Sequence, residues 1–190
     1  MENADFMNKS REWRLHKLRK IGLLLLKIRF TPNFLTTLSL LSGLLGIYFL
    51  FDNYILFFSF ALLHLLFDGL DGVVARLSTS TRFGDYYDHI TDSLITFLAL
   101  FKIGLYYGDY YAYVIAALFL LVHGVYYLSH QKAPLLFTRT ITIIGLMIYI
   151  PGTFMEQGYL LILNYLVTGV AAAYSFSRQL IWAANRINQR

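Results

Sequence analysis

Four aspartates, Asp68, Asp71, Asp88 and Asp92, fall within the segment DGLDGVVARLSTSTRFGDYYDHITD of an otherwise apolar chain. Asp68 and Asp71 are three residues apart, so both project from one helical face, which Gly72 and Arg76 continue at four-residue steps from Asp68. Gly84, Asp88 and Asp92 are each four apart and form a second face. Carboxylates brought together at low dielectric repel strongly. Protonation or bound cations would relieve that repulsion. Oxygen ligands in a chain without cysteine select hard ions, Mg²⁺, Mn²⁺ or Ca²⁺, rather than zinc. Two such ions can clamp a diphosphate. The glycines make room for a substrate or a neighbouring helix, and Arg76 can pair with a phosphate. Structural pairing with Arg76, Arg82 and Lys102 is disfavoured, because two arginines cannot neutralise four clustered carboxylates. A proton or ion pathway is the other functional reading of acids in a membrane segment.

The elements that must position these residues are membrane helices. Of 190 residues, 57% are hydrophobic and only 14% charged, where a soluble domain carries roughly a quarter. Mean hydropathy is +0.55. With about 20 apolar residues per span, the sequence predicts an all-α integral membrane protein with six transmembrane helices, roughly over 33–51, 54–76, 84–107, 110–129, 136–155 and 158–180. Short linkers with breakers separate them: Asp52-Asn53, Ser78–Thr81, Gly108-Asp109, Pro134 and Pro151-Gly152. Residues 8–30 are predicted to form an amphipathic juxtamembrane helix, with Trp13, Leu15, Leu18, Ile21, Gly22 and Leu25 on one face and basic residues elsewhere. The chain is read as a single domain, 1–190, with an interfacial helix over 1–30 and a six-helix bundle over 31–190. No cleavable signal peptide is expected from its polar, basic start.

Residues 9–29 hold eight of the sixteen Lys and Arg. Arg76 and Arg82 flank the second linker, Lys132 and Arg139 the fourth, and Arg178, Arg186 and Arg190 lie near the C-terminus. The remaining linkers carry Asp52, Asp109 and Glu156 and no basic residue. This alternation predicts both termini and the acidic cluster on the cytoplasmic side, in the cell membrane if the source is prokaryotic.

The spacing D-x2-D-G-x2-A-R-x7-G-x3-D-x3-D, here Asp68, Asp71, Gly72, Ala75, Arg76, Gly84, Asp88 and Asp92, resembles the signature of the CDP-alcohol phosphotransferase (CDP-alcohol phosphatidyltransferase) family. Many members have eight residues between the arginine and the second glycine, where this chain has seven. Thr31-Pro32-Asn33-Phe34-Leu35-Thr36 resembles the P-N-x-x-T start of the family's first helix. The resemblance implies transfer of a phospho-alcohol group from a CDP-alcohol to an acceptor hydroxyl, with release of CMP. It implies two divalent cations, Mg²⁺ or Mn²⁺, with Ca²⁺ a possible occupant. Asp68, Asp71 and Asp88 would hold them on the donor diphosphate. Asp92 would help bind one ion and act as general base. Asn33, Thr36, Gly72, Arg76 and Thr81 would surround the cytidine and diphosphate. A homodimer among membrane lipids is implied too, and no nucleic-acid partner.

The acceptor is written more faintly. A soluble phosphorylated acceptor needs a basic pocket, for which Arg139 and Lys132 are candidates, while Arg178 reads as a positive-inside anchor. Arg139-Thr140 resembles the basic-Thr element of the glycerophosphate-using branch, with CDP-diacylglycerol or its archaeal ether analogue as donor. Asp88-His89 and Asp92-Ser93-Leu94 instead resemble the D-H-x-x-D-S-L run of choline and ethanolamine phosphotransferases, which take a lipid alcohol. His89 is assigned no catalytic role, and His64 and His123 read first as packed, hydrogen-bonded core residues. A membrane prenyltransferase is disfavoured because its aspartate motifs lie far apart in sequence. An ion-binding transporter is disfavoured because no inverted repeat is visible.

Overall fold

The computed structural model describes residues 16–78, 81–148 and 159–187, and every regular element among them is helical. Helix α1 covers residues 16–27. It is followed by α2 (Pro32–Phe49), α3 (Tyr54–Leu77), α4 (Arg82–Tyr107), α5 (Tyr110–Leu128), α6 (Arg139–Ile148) and α7 (Tyr159–Ile187). Local chemistry fixes the helix starts. Thr31 Oγ1 accepts from Phe34 N at 3.2 Å, Asn53 Oδ1 from Leu56 N at 3.1 Å and Thr81 Oγ1 from Gly84 N at 3.1 Å. Asp109 Oδ1 caps α5 by accepting from Tyr111 N at 2.9 Å. Each satisfies a backbone donor that the helix itself leaves unpaired. Pro32 fits the first position of α2, where its missing N–H costs nothing.

Among the described residues, five helices are long and apolar enough to cross a membrane: α2, α3, α4, α5 and the Tyr159–Arg186 stretch of α7. Their outer faces carry large apolar side chains such as Leu41, Ile55, Leu121 and Leu163, all exposed. This is the surface of an integral membrane protein, whose solvent is lipid. The sixth expected span is not seen at that length. The described part of helix α6 has 10 residues, roughly 15 Å against a hydrocarbon core of about 30 Å. Residues 136–138 precede it without helical structure, and 149–155 of the expected span lie outside the described residues. In the expected juxtamembrane helix, residues 8–15, with Trp13 and Leu15, also lie outside them.

The chain divides into two compact units, one comprising residues 1–45 and 59–91, the other 46–58 and 92–190. In the first, α1 packs on the C-terminal end of α3. A Cβ on Gly22 would come within 2.7 Å of Leu77 Cδ1 and 2.9 Å of Val73 Cγ1. Gly22 is buried and Leu18, Leu25 and Leu26 are half-buried, whereas Ile21, Leu24 and Ile28 face outward. Helix α1 closes with Phe30 N donating to Leu25 O at 2.9 Å and Arg29 N to Leu26 O at 3.0 Å. That paired closure requires a left-handed residue at the turn, and Arg29 supplies it with φ 65°. Deeper in the unit, buried Ser39 of α2 and His64 of α3 meet, with Ser39 Oγ 2.8 Å from His64 Nδ1.

In the second unit, α7 packs against α5 and α6. The seam is polar. Thr142 and Thr168 hydroxyls are 2.9 Å apart, and Asn164 Nδ2 donates to Thr142 O at 3.0 Å. Ser175 Oγ accepts from Leu136 N at 3.0 Å, and Gln179 Nε2 donates to Val122 O at 2.9 Å and Pro134 O at 3.1 Å. Two side chains of α7 thus hold the irregular α5–α6 connection, whose backbone has no helical partners of its own. His123 of α5 is buried and Nδ1–H donates to Phe119 O at 2.8 Å. Gln179→Ala is expected to lower stability by about 1–3 kcal/mol by stripping donors from buried carbonyls. A thermal melt in detergent that matched the parent protein would remove the clamp from this role.

Candidate active site

Asp68 and Asp71 lie in the last turns of α3 and Asp88 in the second turn of α4. Their carboxylates each present an oxygen within 4.8 Å of the others. Asp71 is only 4% exposed, and Asp68 and Asp88 are half-buried. Two unit charges at that separation repel by about 3 kcal/mol at an effective dielectric of about 20. Thr36 of α2, itself buried, offsets part of this at Asp71: its hydroxyl lies 2.8 Å from Asp71 Oδ2. The same hydroxyl is 3.1 Å from Pro32 O. Three hard oxygen donors at this spacing, with no thiolate in the chain, suit a divalent ion such as Mg²⁺ or Mn²⁺.

A cavity of about 750 Å³ opens beside Asp71 and Asp88, within the range of small-molecule sites. Two helix starts line it, through Thr31, Pro32 and Asn33 of α2 and Thr81, Gly84 and Asp85 of α4. Helix N-termini carry partial positive charge and favour anions. Arg29 and Arg76 line the cavity too. Cation-seeking carboxylates and anion-seeking helix ends therefore share one space, an arrangement suited to an anion that arrives with metal ions.

The two glycines of the acidic segment do different work. A Cβ on Gly72 would meet nothing within 4 Å and would project into open space at the cavity. A Cβ on Gly84 would lie 3.0 Å from Asn33 Oδ1 and 3.3 Å from Thr81 Oγ1. Gly84 thus lets the starts of α2 and α4 approach, an approach also held by Thr37 Oγ1 and Tyr87 OH, 3.0 Å apart.

Of the residues expected around the donor, Asn33, Thr36, Gly72, Arg76 and Thr81 all line this cavity. Thr81 is in addition the cap of α4, and Thr36 the hydrogen-bond partner of Asp71. Sequence reasoning missed Arg29, Ser78, Asp85 and His89, which also line it. The residue types in the turn after α1 and next to Asp88 were the only signals for Arg29 and His89.

In the second unit, the Arg139 guanidinium at the start of α6 forms an ion pair with Asp92 Oδ1, and both side chains are largely buried. Arg139, expected at the acceptor, is thus engaged with the residue expected to be the base. Asp92 and Arg139 line a second, much smaller cavity together with Ser93, Thr96, His123 and Thr138. Ser93 Oγ lies 2.6 Å from Tyr127 OH. Lys132 is exposed in the α5–α6 connection and lines neither cavity.

The described residues thus combine apolar membrane helices with a carboxylate cluster that could hold a cation beside a cavity of about 750 Å³. Comparison with known proteins narrows the reading. The sequence profile of the CDP-alcohol phosphatidyltransferase family matches residues 29–177, most of the chain, and the chain belongs to that family. Its members are transferases of phosphate-substituted groups, acting on CDP-alcohols in phospholipid biosynthesis. A protein of Aquifex aeolicus (strain VF5), described as uncharacterized, is 36% identical over 86 residues, covering 44% of this chain and 44% of that protein. The match therefore spans less than half the length of that relative. No solved structure gives a significant match.

Alanine at the two glycines should act in opposite directions. Gly72→Ala is expected to raise stability by up to about 1 kcal/mol, the helix-propensity gain, while narrowing the cavity. Gly84→Ala should lose that gain to contact with Asn33. Melting temperatures of the two variants, measured side by side, check the assignment; equal shifts would contradict it.

Proposed function

We propose that this protein transfers a phospho-alcohol group, of the phosphatidyl type, from a membrane-borne CDP-alcohol to the hydroxyl of an acceptor, releasing CMP. The observation that carries this reading is the meeting of the Asp68–Asp71–Asp88 cluster with a cavity lined by two helix N-termini and Arg76. CDP-diacylglycerol or its archaeal ether analogue is the favoured donor, and a soluble phosphorylated alcohol the favoured acceptor. The basic residues of the N-terminal segment and of alternate linkers support a cytoplasmic site with both termini on that side.

In this reading Asp68, Asp71 and Asp88, with Asp92 one turn further along α4, hold two divalent ions. Bound there, the ions would neutralise the donor diphosphate and stabilise CMP as leaving group. The protein's own groups do the rest. Asn33, Gly72, Arg76 and Thr81 receive the cytidine and diphosphate. Thr36 fixes the Asp71 carboxylate by its hydrogen bond, so that the ligand oxygen is oriented before substrate arrives. Asp92 accepts the proton of the acceptor hydroxyl as the oxygen attacks the phosphorus bearing the donor alcohol. A new P–O bond forms as the bond to the CMP oxygen breaks. The step proposed is one direct displacement, with no covalent intermediate. Arg139 orients Asp92 through their ion pair and, with five N–H donors on a guanidinium, has the chemistry to reach an acceptor phosphate as well. Lys132 is the second basic candidate at the acceptor.

The deciding experiment is CMP release from purified protein with Mg²⁺ or Mn²⁺, a donor panel of CDP-diacylglycerol, its ether analogue and CDP-choline, and a panel of alcohol acceptors. Release with a lipid donor is expected, and its abolition by chelator. Asp92→Asn is expected to lower the rate by about 10²–10⁴-fold, the usual range for a lost general base. Near-parental release by that variant would remove Asp92 from the role. Retained metal-dependent activity in Asp68→Ala would sink the metal assignment, and silence with every donor would sink the reading as a whole.

A further inference from the structure

We propose that Arg29 is a donor-binding residue, a cation whose guanidinium takes a phosphate oxygen of the CDP-alcohol in the cavity beside Asp71 and Asp88. The inference deepens the transferase reading and rests on it. Arg29 occupies the closing position of α1 with φ 65°, and both hydrogen bonds of that closure are present, Phe30 N to Leu25 O and Arg29 N to Leu26 O. Glycine is the usual residue there, since a side chain at positive φ brings Cβ against backbone. At the end of α4, where the same six-residue closure runs from Asp109 N to Gly104 O, the left-handed residue is Gly108. At the end of α1 the chain carries a strained arginine instead.

Strain alone does not mark a site, because Phe51, His130 and Gln131 are left-handed too. Those three line neither cavity, whereas Arg29 lines the large one with Asn33, Arg76 and Asp88. Among the described residues no hydrogen bond or ion pair engages the Arg29 side chain. It is exposed, and the closed turn fixes the direction from which its side chain leaves the backbone. A second arginine thus lines the cavity besides Arg76, and it comes from a different element. Two arginines from two elements can grip a diphosphate from two sides, where one reaches a single phosphate.

The alternative is that Arg29 only completes the positive charge of the N-terminal segment or the end of α1. Substitution by glycine separates the two, because glycine relieves the backbone while removing the charge. Arg29→Gly, Arg29→Gln and Arg29→Lys would be compared with the parent protein in mixed micelles. Donor KM, kcat, the inhibition constant of CDP as a soluble competitor, and melting temperature would be measured. The expected result for Gly and Gln is a rise of about tenfold in donor KM and in the CDP inhibition constant, larger than any change in kcat. Arg29→Lys should recover part of it, and Arg29→Gly should melt at or above the parent temperature. A CDP inhibition constant within twofold of the parent in both Gly and Gln would overturn the inference while leaving the transferase reading intact. If the glycine variant fails to fold, the Gln–Lys comparison decides. Parent protein that releases no CMP from any CDP-alcohol would overturn the underlying reading, and this inference with it.

Discussion

A carboxylate taken out of water in a protein whose outer solvent is lipid must be compensated, and Asp71 sets that requirement here. It is 4% exposed, and Asp68 and Asp88 stand within 4.8 Å of it by their ligand oxygens. Each acid makes the burial of the others costlier. One hydroxyl, from Thr36, is a modest offset. Protonation or cations close by would relieve the rest, and the surroundings suit cations. Asp88 lies in the second turn of α4 and Asp71 about two turns from the end of α3, with Asp68 one turn deeper. Gly72 leaves the space beside them open. The helix starts and arginines around the cavity then favour an anion as the ions' partner.

Much of this was legible in the sequence because helical periodicity is short-range. Asp68, Asp71, Gly72 and Arg76 follow the three- and four-residue rule, and so do Gly84 and Asp88. That Asp71, Gly72 and Arg76 share one cavity with Gly84 and Asp88 fits the short linker that joins the two helices. The starts of α3 and α5 were also readable, from Asn53 and Asp109. What periodicity cannot give is the partner across a long loop. Thr36 finds Asp71 from 35 residues away, and Arg139 finds Asp92 from 47. A residue's type suggests that it will pair but not with whom. Arg139 was accordingly expected at the acceptor rather than against a carboxylate. His89 was assigned no catalytic role, yet it lines the cavity. Arg29 was counted only as one of eight charges near the N-terminus, since nothing in a sequence marks a left-handed arginine.

The second unit shows how a residue is held when its backbone is irregular. Arg139 follows directly on a connection without helical hydrogen bonds, and such a connection in a membrane protein must find partners inside the protein. Helix α7 provides them through Ser175 and Gln179, and the Thr142–Thr168 and Asn164 contacts hold α6 itself. Each such bond contributes about 1 kcal/mol. Their joint effect is to fix the start of α6, and with it the charge that meets Asp92. Stability and chemistry are linked here through one turn of one helix.

The distribution of charge also separates the readings of the acidic cluster. A proton or ion pathway needs titratable groups spread through the depth of the membrane. In this chain Asp68, Asp71 and Asp88 are gathered in one cluster, and the other buried polar groups of the described helices are hydroxyls, amides and hydrogen-bonded histidines. A structural ion-pair network needs no cavity, and the one here has about 750 Å³ beside the acids. A site for a diphosphate with its counter-ions needs all of what is found: clustered oxygens for the ions, helix N-termini and guanidinium groups for the phosphates, and an open glycine where they meet. The same logic explains why the donor half of the reaction is written so densely in sequence. Ions and phosphates demand fixed charges at short range. An acceptor hydroxyl demands only a base and a place to lie, so its recognition leaves a fainter mark on the sequence.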